Sequence, residues 1–431
     1  MSALPDQLSA VLGQLHGDHG STVDAANDEV VRRLDSGVPQ LVEVSTVAQT
    51  VPGVIGRTLL HGGPAIDFEQ VCDPLRRSMR AAVVTEGWAA DVAEAQRLLA
   101  GGDVALEPAN HHQTVVPMAT VIGPSSPVFV VADGVGGTRS YAPVSQGHSD
   151  VAWLGRDTDA AIERLRFLRD IVGPALAQIL SSAGPLDILN LAAQGVSMGD
   201  DVHIRTQAAT NLLYRRWLPQ LAELPERHRC AMARFLSDNH IFFLTLVMAA
   251  AKALTLWADQ VSGSSIVTTM SGNGTTSGIT LAGSPQWHIT AAPPITNALY
   301  FNGYGLEDAA LHIGDSAMLE LIGLGGPAAA GSPAVTAFVG GSMADARRVT
   351  EAFQQICVGT SSRFILPLLE FTGTPLGIDV RRVVELGITP QFTTGILHSS
   401  SGVGQIGAGA ATAPMASFTA ALTALAAHLG K

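Results

Sequence analysis

Between Thr393 and Gly409 the chain reads Thr-Thr-Gly-Ile-Leu-His-Ser-Ser-Ser-Gly-Val-Gly-Gln-Ile-Gly-Ala-Gly, and no other stretch restricts the fold as tightly. Glycine at this density costs backbone entropy, so it belongs where main-chain N–H groups must come close to something. Gly402, Gly404 and Gly407 spell the dinucleotide fingerprint G-x-G-x-x-G. That fingerprint needs a strand before it, a helix after it, and a second strand with an acid about twenty residues on. Ile388 to Leu397 supplies a strand and Pro414 to Leu429 a helix, but no Asp or Glu follows Glu385. A Rossmann site is therefore rejected. The expectation is a glycine-rich loop, bordered by His398 and Gln405, holding a small anion or amide on backbone groups that include Gly404 and Gly407.

The rest of the chain reads as a mixed α+β or α/β multidomain protein. Three parts are expected: a mixed α/β part over 1–154, a mostly helical part over 155–262, and a mixed α/β part with Gly-rich loops over 263–431. In the first, Leu41 to Val47 alternates like a strand and Val128 to Ala132 is a short β-branched run before Asp133-Gly134. In the second, stripes such as Leu212, Leu213, Trp217 and Leu218 fit a helical period. In the third, strands are expected at 265–270, 277–282 and 336–340, with helices near 344–357 and 414–429. The apolar run Ile241 to Trp257 contains Lys252 and is shorter than the roughly 20 residues a membrane span needs, so it is read as a buried helix.

Charge and cysteine usage exclude several classes. Only 14% of residues are charged, against 47% hydrophobic, which suggests much surface covered by other subunits and favours a homo-oligomer. A net charge of −12 with no basic run argues against nucleic acid as partner. Cys72, Cys230 and Cys357 are odd in number and far apart, which fits a reducing cytoplasm rather than a disulfide framework. Met1 to Asp6 has neither a basic nor an apolar signal region.

Six polar clusters sit at turns between apolar elements. Asn110-His111-His112-Gln113 offers a proton donor, an amide-binding group or a metal ligand, against the plainer reading of a half-buried histidine. Gly199-Asp200-Asp201-Val202-His203-Ile204-Arg205 gathers two carboxylates, an imidazole and a guanidinium. A helix N-terminus explains one Asp there but not its neighbours. Asp238-Asn239-His240 leads into the most apolar run, as if aimed at an internal cavity. Asn273-Gly274 is either a hairpin turn or part of a binding loop. Asp315 and Asp379 each stand in a Gly-containing turn. No H-x-x-x-H or C-x-x-C spacing marks a metal site, and neither a Walker loop nor a nucleophile elbow is present. No cofactor is expected.

These motifs resemble the AllG (YlbE) family. The resemblance runs through Arg57-Thr58-x-Leu60-His61-x-Gly63-Pro64, Gly-Asp-Asp-x-His-x-Arg at 199–205, Asn-His-x-Phe-Phe-Leu at 239–244 and Val-Thr-x-Met-x-x-Asn-Gly at 267–274. It continues through Gly-Asp-Ser-Ala at 314–317, Gly-Thr-Pro-x-Gly-Ile-Asp-Val-Arg at 373–381 and the glycine-rich run itself. It implies a helical domain between mixed α/β parts and a subunit of oxamate carbamoyltransferase, in anaerobic allantoin nitrogen catabolism. That enzyme exchanges a carbamoyl group between oxalurate with phosphate and oxamate with carbamoyl phosphate. The resemblance also implies an acyl-CoA-synthetase-like partner subunit and a third small subunit. Gly272 and Ser399 stand where the pattern often has Arg and Lys, which marks this chain as a divergent member acting on this or another amide substrate.

Together these readings predict a carbamoyl-transfer enzyme or subunit. Arg205 and the glycine-rich loop would hold the anionic or phosphate end, with the oxyanion on backbone N–H groups and Asn273 or Gln405. His203, His240 or His398 would move the proton, with Asp200 or Asp315 orienting an imidazole. His111, His112, Asn239 and Asp379 would complete substrate binding. The alternatives are a non-catalytic ligand-binding or scaffold subunit, and a metal-dependent amidohydrolase built on His111, His112, His203 and His240.

Overall fold

The computed structural model describes residues 5–338 and 341–430 and has a mixed α+β fold. The helix Phe243–Ala258 runs through its centre, with every residue but Leu256 buried. A helix apolar all round has no face for solvent, so burial is the only stable outcome for the run 241–257. Among the described residues no helix is long and apolar enough to cross a membrane.

That helix lies against an antiparallel sheet with strand order 139–143, 127–133, 39–46, 186–187. Thr138 and Ser140 hydroxyls donate to its Ala253 and Ala249 carbonyls at 2.7 and 2.6 Å, so strand and helix are locked by bonds as well as packing. The helix Gly20–Ser36 is tied to the C-terminal part through Asn27, whose amide donates to Ser265 and Asp379. One cluster of buried apolar side chains runs from Leu12 to Ala426.

The C-terminal part holds two further sheets, the second of which lines the site. One has the order 284–291, 276–281, 267–273, 313–314 and the other 295–300, 405–412, 391–397. The glycine-rich run is a hairpin: Gln391–Leu397 pairs antiparallel with Gln405–Thr412, the stretch 398–404 bordered by His398 and Gln405 is its turn, and Gly407 and Gly409 lie in a strand rather than in the expected loop. The reason is steric. A Cβ on Gly407 or Gly409 would stand 2.4 Å from the carbonyl oxygen of Leu299 or Asn297, so these glycines let the strand 295–300 close on its neighbour. The expected strand at 336–340 is also corrected: 336–338 belong to the short helix Pro333–Phe338, and 339–340 lie outside the described residues.

Candidate functional site

The turn between the helices Ile188–Ser197 and Gln207–Glu223 carries Asp200 to Arg205. Its backbone is strained: Val202, a β-branched residue, has φ +56°. Side chains hold it there. Asp201 Oδ1 accepts from the N–H groups of His203 and Arg205 at 3.1 and 2.9 Å, and Asp200 Oδ2 accepts from Ala209 N–H at 2.9 Å. This conformation drives the His203 ring inward, where Nδ1 meets Glu320 Oε1 at 2.7 Å. Glu320 comes from the 3₁₀ turn Ser316–Ile322 and also accepts from Gly326 N–H at 3.3 Å.

Both partners are buried, and burial alone opposes charge on each. On His203, burial acts downward, but the Glu320 carboxylate and the charge of Asp201 outweigh it and the net shift is upward. Burial pushes Glu320 up despite its imidazole partner, and pushes Asp201 up as well. Asp200 is raised to about 6 by burial, against its backbone bonds and Arg205.

With Nδ1 committed to Glu320, His203 keeps Nε2 for a cavity of ≈ 100 Å³ lined by His148, Trp153, His240, Thr394, Gln405 and Ser316 over a floor of Met118, Leu154 and Leu244. The His148 and His240 rings stack at 4.3 Å. Burial lowers both, and with the neighbouring His240 it takes His148 down to about 4, so the pair is neutral at physiological pH. His148 Nε2 and the Trp153 indole N–H are buried and make no hydrogen bond. Buried polar groups of this kind are satisfied by something, and here they stand at the wall of a cavity. Neutral donors around an imidazole backed by a carboxylate suit a planar carbonyl or amide and the oxyanion it develops.

The structure thus brings together His203, His240 and Gln405 of the expected residues. Arg205 is placed elsewhere, its Nε 3.2 Å from Asp200 and its side chain about a third exposed. Asn239 exchanges hydrogen bonds with Ser145 behind His240. His398 accepts from Ser400 N–H and stands 3.9 Å from Asp308, outside the cavity lining. Gly404, at φ +96°, turns the hairpin over Arg156, and Gly407 lies within the strand. Asn273 closes a hairpin turn, its Oδ1 accepting from the N–H groups of Thr275 and Thr276. Asp315 accepts from Gly63 and Val116 N–H, the Asn110 amide and the Ser271 hydroxyl. Asp379 pairs with Arg381 at 2.9 Å.

His112 sits between Glu107 and the Pro52 carbonyl, while His111 is exposed. Among the described residues no three His, Cys, Asp or Glu side chains are grouped to hold a metal, so the four-histidine centre of the amidohydrolase alternative is not assembled.

Sequence reasoning missed His148, Trp153 and Glu320. For Glu320 a signal existed: a single carboxylate inside the apolar run Ala317-Met318-Leu319-Glu320-Leu321-Ile322. A charge there is buried and must find a partner. His148 and Trp153 carry no such mark.

The family described as oxamate carbamoyltransferase subunit AllG matches residues 104–316. The Escherichia coli oxamate carbamoyltransferase subunit AllG is 36% identical over 415 residues, covering 95% of this chain and 99% of its own. The uncharacterised E. coli protein YahG is 34% identical over 404 residues, 93% of this chain and 85% of its own. The crystal structure of a conserved Enterococcus faecalis protein of unknown function superposes with a TM-score of 0.92 at 32% identity, over 94% of this chain and 98% of that one.

Proposed function

The chain belongs to the AllG family of oxamate carbamoyltransferase subunits, and from that premise we propose that its His203 cavity binds a planar carbamoyl-bearing substrate and supplies the proton for carbamoyl transfer. The observation that carries this reading is the buried His203–Glu320 pair at 2.7 Å, beside a cavity at whose wall His148 Nε2 and the Trp153 indole N–H are buried without partners. In the phosphorolytic direction a phosphate oxygen attacks the carbamoyl carbon of oxalurate. The oxyanion forms against Trp153 N–H and the neutral histidines. The C–N bond then breaks, and the His203 imidazolium protonates the departing nitrogen to give oxamate and carbamoyl phosphate. Glu320 holds the ring and stabilises its charge without taking the proton itself. The upward shift of His203, caused by the Glu320 carboxylate and Asp201 against burial, favours the acid role.

The same reading includes a cytoplasmic, homo-oligomeric protein acting beside an acyl-CoA-synthetase-like subunit. The test is oxalurate phosphorolysis by the full chain, alone and with its co-purifying subunits. His203→Gln is expected to lower turnover about 10²- to 10⁴-fold, the range for a lost proton donor, with oxamate binding retained in calorimetry. Wild-type turnover by a complex carrying His203→Gln would instead assign the chain a ligand-binding or scaffold role.

A further inference from the structure

The helices Gln207–Glu223 and Glu226–Ser237 form a hairpin closed by Leu224 and Pro225. Each buries an inner stripe, Leu213 and Trp217 on the first, Met232, Phe235 and Leu236 on the second. What they leave outside is basic: Arg215, Arg216, Arg227, Arg229 and Arg234 are all exposed. Of the chain's 25 basic and 37 acidic residues these helices hold five and two, so the hairpin is net positive by three on a chain of net charge −12. The bases are scattered along the sequence, and folding the two helices against each other collects them.

These arginines are also idle. Ten others pair with a carboxylate of the chain, from Arg32 with Glu29 to Arg381 with Asp24. On the hairpin, Arg229 donates to the Ala222 carbonyl at 3.1 Å and closes the end of the first helix. The side chains of Arg215, Arg216, Arg227 and Arg234 make no hydrogen bond or ion pair among the described residues, although Glu223 and Glu226 stand on the same hairpin. Its roots lie at the cavity: His203 and Ile204 precede the first helix, His240 and Ile241 follow the second, and all four line it. The Tyr214 hydroxyl ties the roots by donating to the Asn239 carbonyl at 2.7 Å. His240 is exposed, so the cavity opens to solvent on this side.

We infer that the outward side of this hairpin is a docking surface for a carboxylate-rich face of another protein chain, seated beside the open end of the cavity. A guanidinium meets a carboxylate in two parallel hydrogen bonds, so free arginines on an otherwise acidic molecule are complementary to an acidic protein surface. A membrane fits less well, because it needs an apolar face and Leu218, 56% exposed, is the one large apolar side chain the two helices expose. Nucleic acid fits less well too: Glu223 and Glu226 would repel a phosphate backbone, whereas opposite a protein they fix the register. The inference stands whatever the cavity binds.

The probe is fluorescein-labelled poly-L-glutamate, titrated with the full chain and read by fluorescence anisotropy. Wild type is expected to bind it, and R215E/R216E/R227E/R234E to bind at least tenfold more weakly at an unchanged unfolding midpoint, since these side chains hold nothing in the fold. The control R57E/R97E/R139E/R347E makes the same change of net charge at four exposed arginines outside the hairpin, and should stay within threefold of wild type. If the hairpin quadruple does not fold, Arg216→Glu and Arg227→Glu singly are each expected to weaken binding at least twofold. No polyglutamate binding, or equal losses in the hairpin and control variants, would overturn the inference. Tighter binding of single-stranded DNA or of phosphatidylserine vesicles, lost in the hairpin variant, would hand the surface to nucleic acid or to a membrane instead. Self-association in sedimentation that the hairpin variant loses, without polyglutamate binding, would give it to a second copy of this chain.

Discussion

Two buried acidic clusters, both drawn from the sequence as candidates, differ in how completely their oxygens are used. Around Asp315 every bond closes: Gly63, Asn110, Val116 and Ser271 donate to it, and these residues come from four separate segments. Around His203 the accounting stays open, with Asp201 Oδ2 and Glu320 Oε2 buried and without donors. A carboxylate saturated by the chain holds segments together and has nothing left for a ligand. One that keeps a free lone pair at a cavity wall is poorer architecture and better chemistry. In sequence the two differ only in how many ionisable groups they gather, since both combine Asp with Gly-containing turns.

The largest expected effect tests the closed cluster. Asp315→Ala removes the acceptor from two buried backbone N–H groups, an amide and a hydroxyl at once, and should cost about 3–5 kcal/mol in urea unfolding. A loss below about 1 kcal/mol, or a variant of normal stability that has lost substrate binding, would break the comparison by moving Asp315 to the functional side.

A smaller effect tests the open cluster through pH. His148 is held down to about 4 by burial and by His240, below its ordinary value of 6.5. Between those values the unfolded chain binds a proton that the native ring refuses, so its contribution is present above pH 6.5 and is lost as pH falls towards 4. The full loss is up to about 3 kcal/mol. Asp200, raised to about 6, works the other way over an overlapping window, because its native carboxyl keeps a proton that the unfolded one releases. His148→Gln should therefore remove the acid-side loss and expose the opposite slope of Asp200. Parallel stability–pH curves for variant and wild type would show that His148 is not buried as described.

How far the sequence revealed this arrangement depended on whether a residue's neighbours announced its partner. The run 241–257 could only be a buried helix, and Phe243–Ala258 is one. The Gly-Asp-Asp-x-His pattern pointed to the strained turn because too many ionisable groups stood in it for capping to absorb. The glycine-rich run misled, since glycine chosen for close strand packing looks the same in sequence as glycine chosen for a ligand. Gly407 against the Leu299 carbonyl is the first kind. Glu320 reaches His203, and His148 and Trp153 reach its cavity, from segments separated from His203 by some tens to over a hundred residues, and only tertiary packing joins them.

The smallest expected effect lies at Asn273, where the hairpin reading and the binding reading of one Asn-Gly pair compete directly. The side chain is fully buried and all its capacity is spent within the fold: Oδ1 caps Thr275 and Thr276, while Nδ2 donates to Pro64 and the Thr276 hydroxyl. Asn273→Ala should thus cost about 1–2 kcal/mol of stability, the loss of a few neutral bonds and a turn. Turnover per folded molecule should stay within twofold of wild type, because nothing of the amide is left to face a substrate. If kcat falls tenfold while the unfolding midpoint hardly moves, Asn273 belongs with His203, and saturation by the chain is no guide to which buried polar groups act on a substrate.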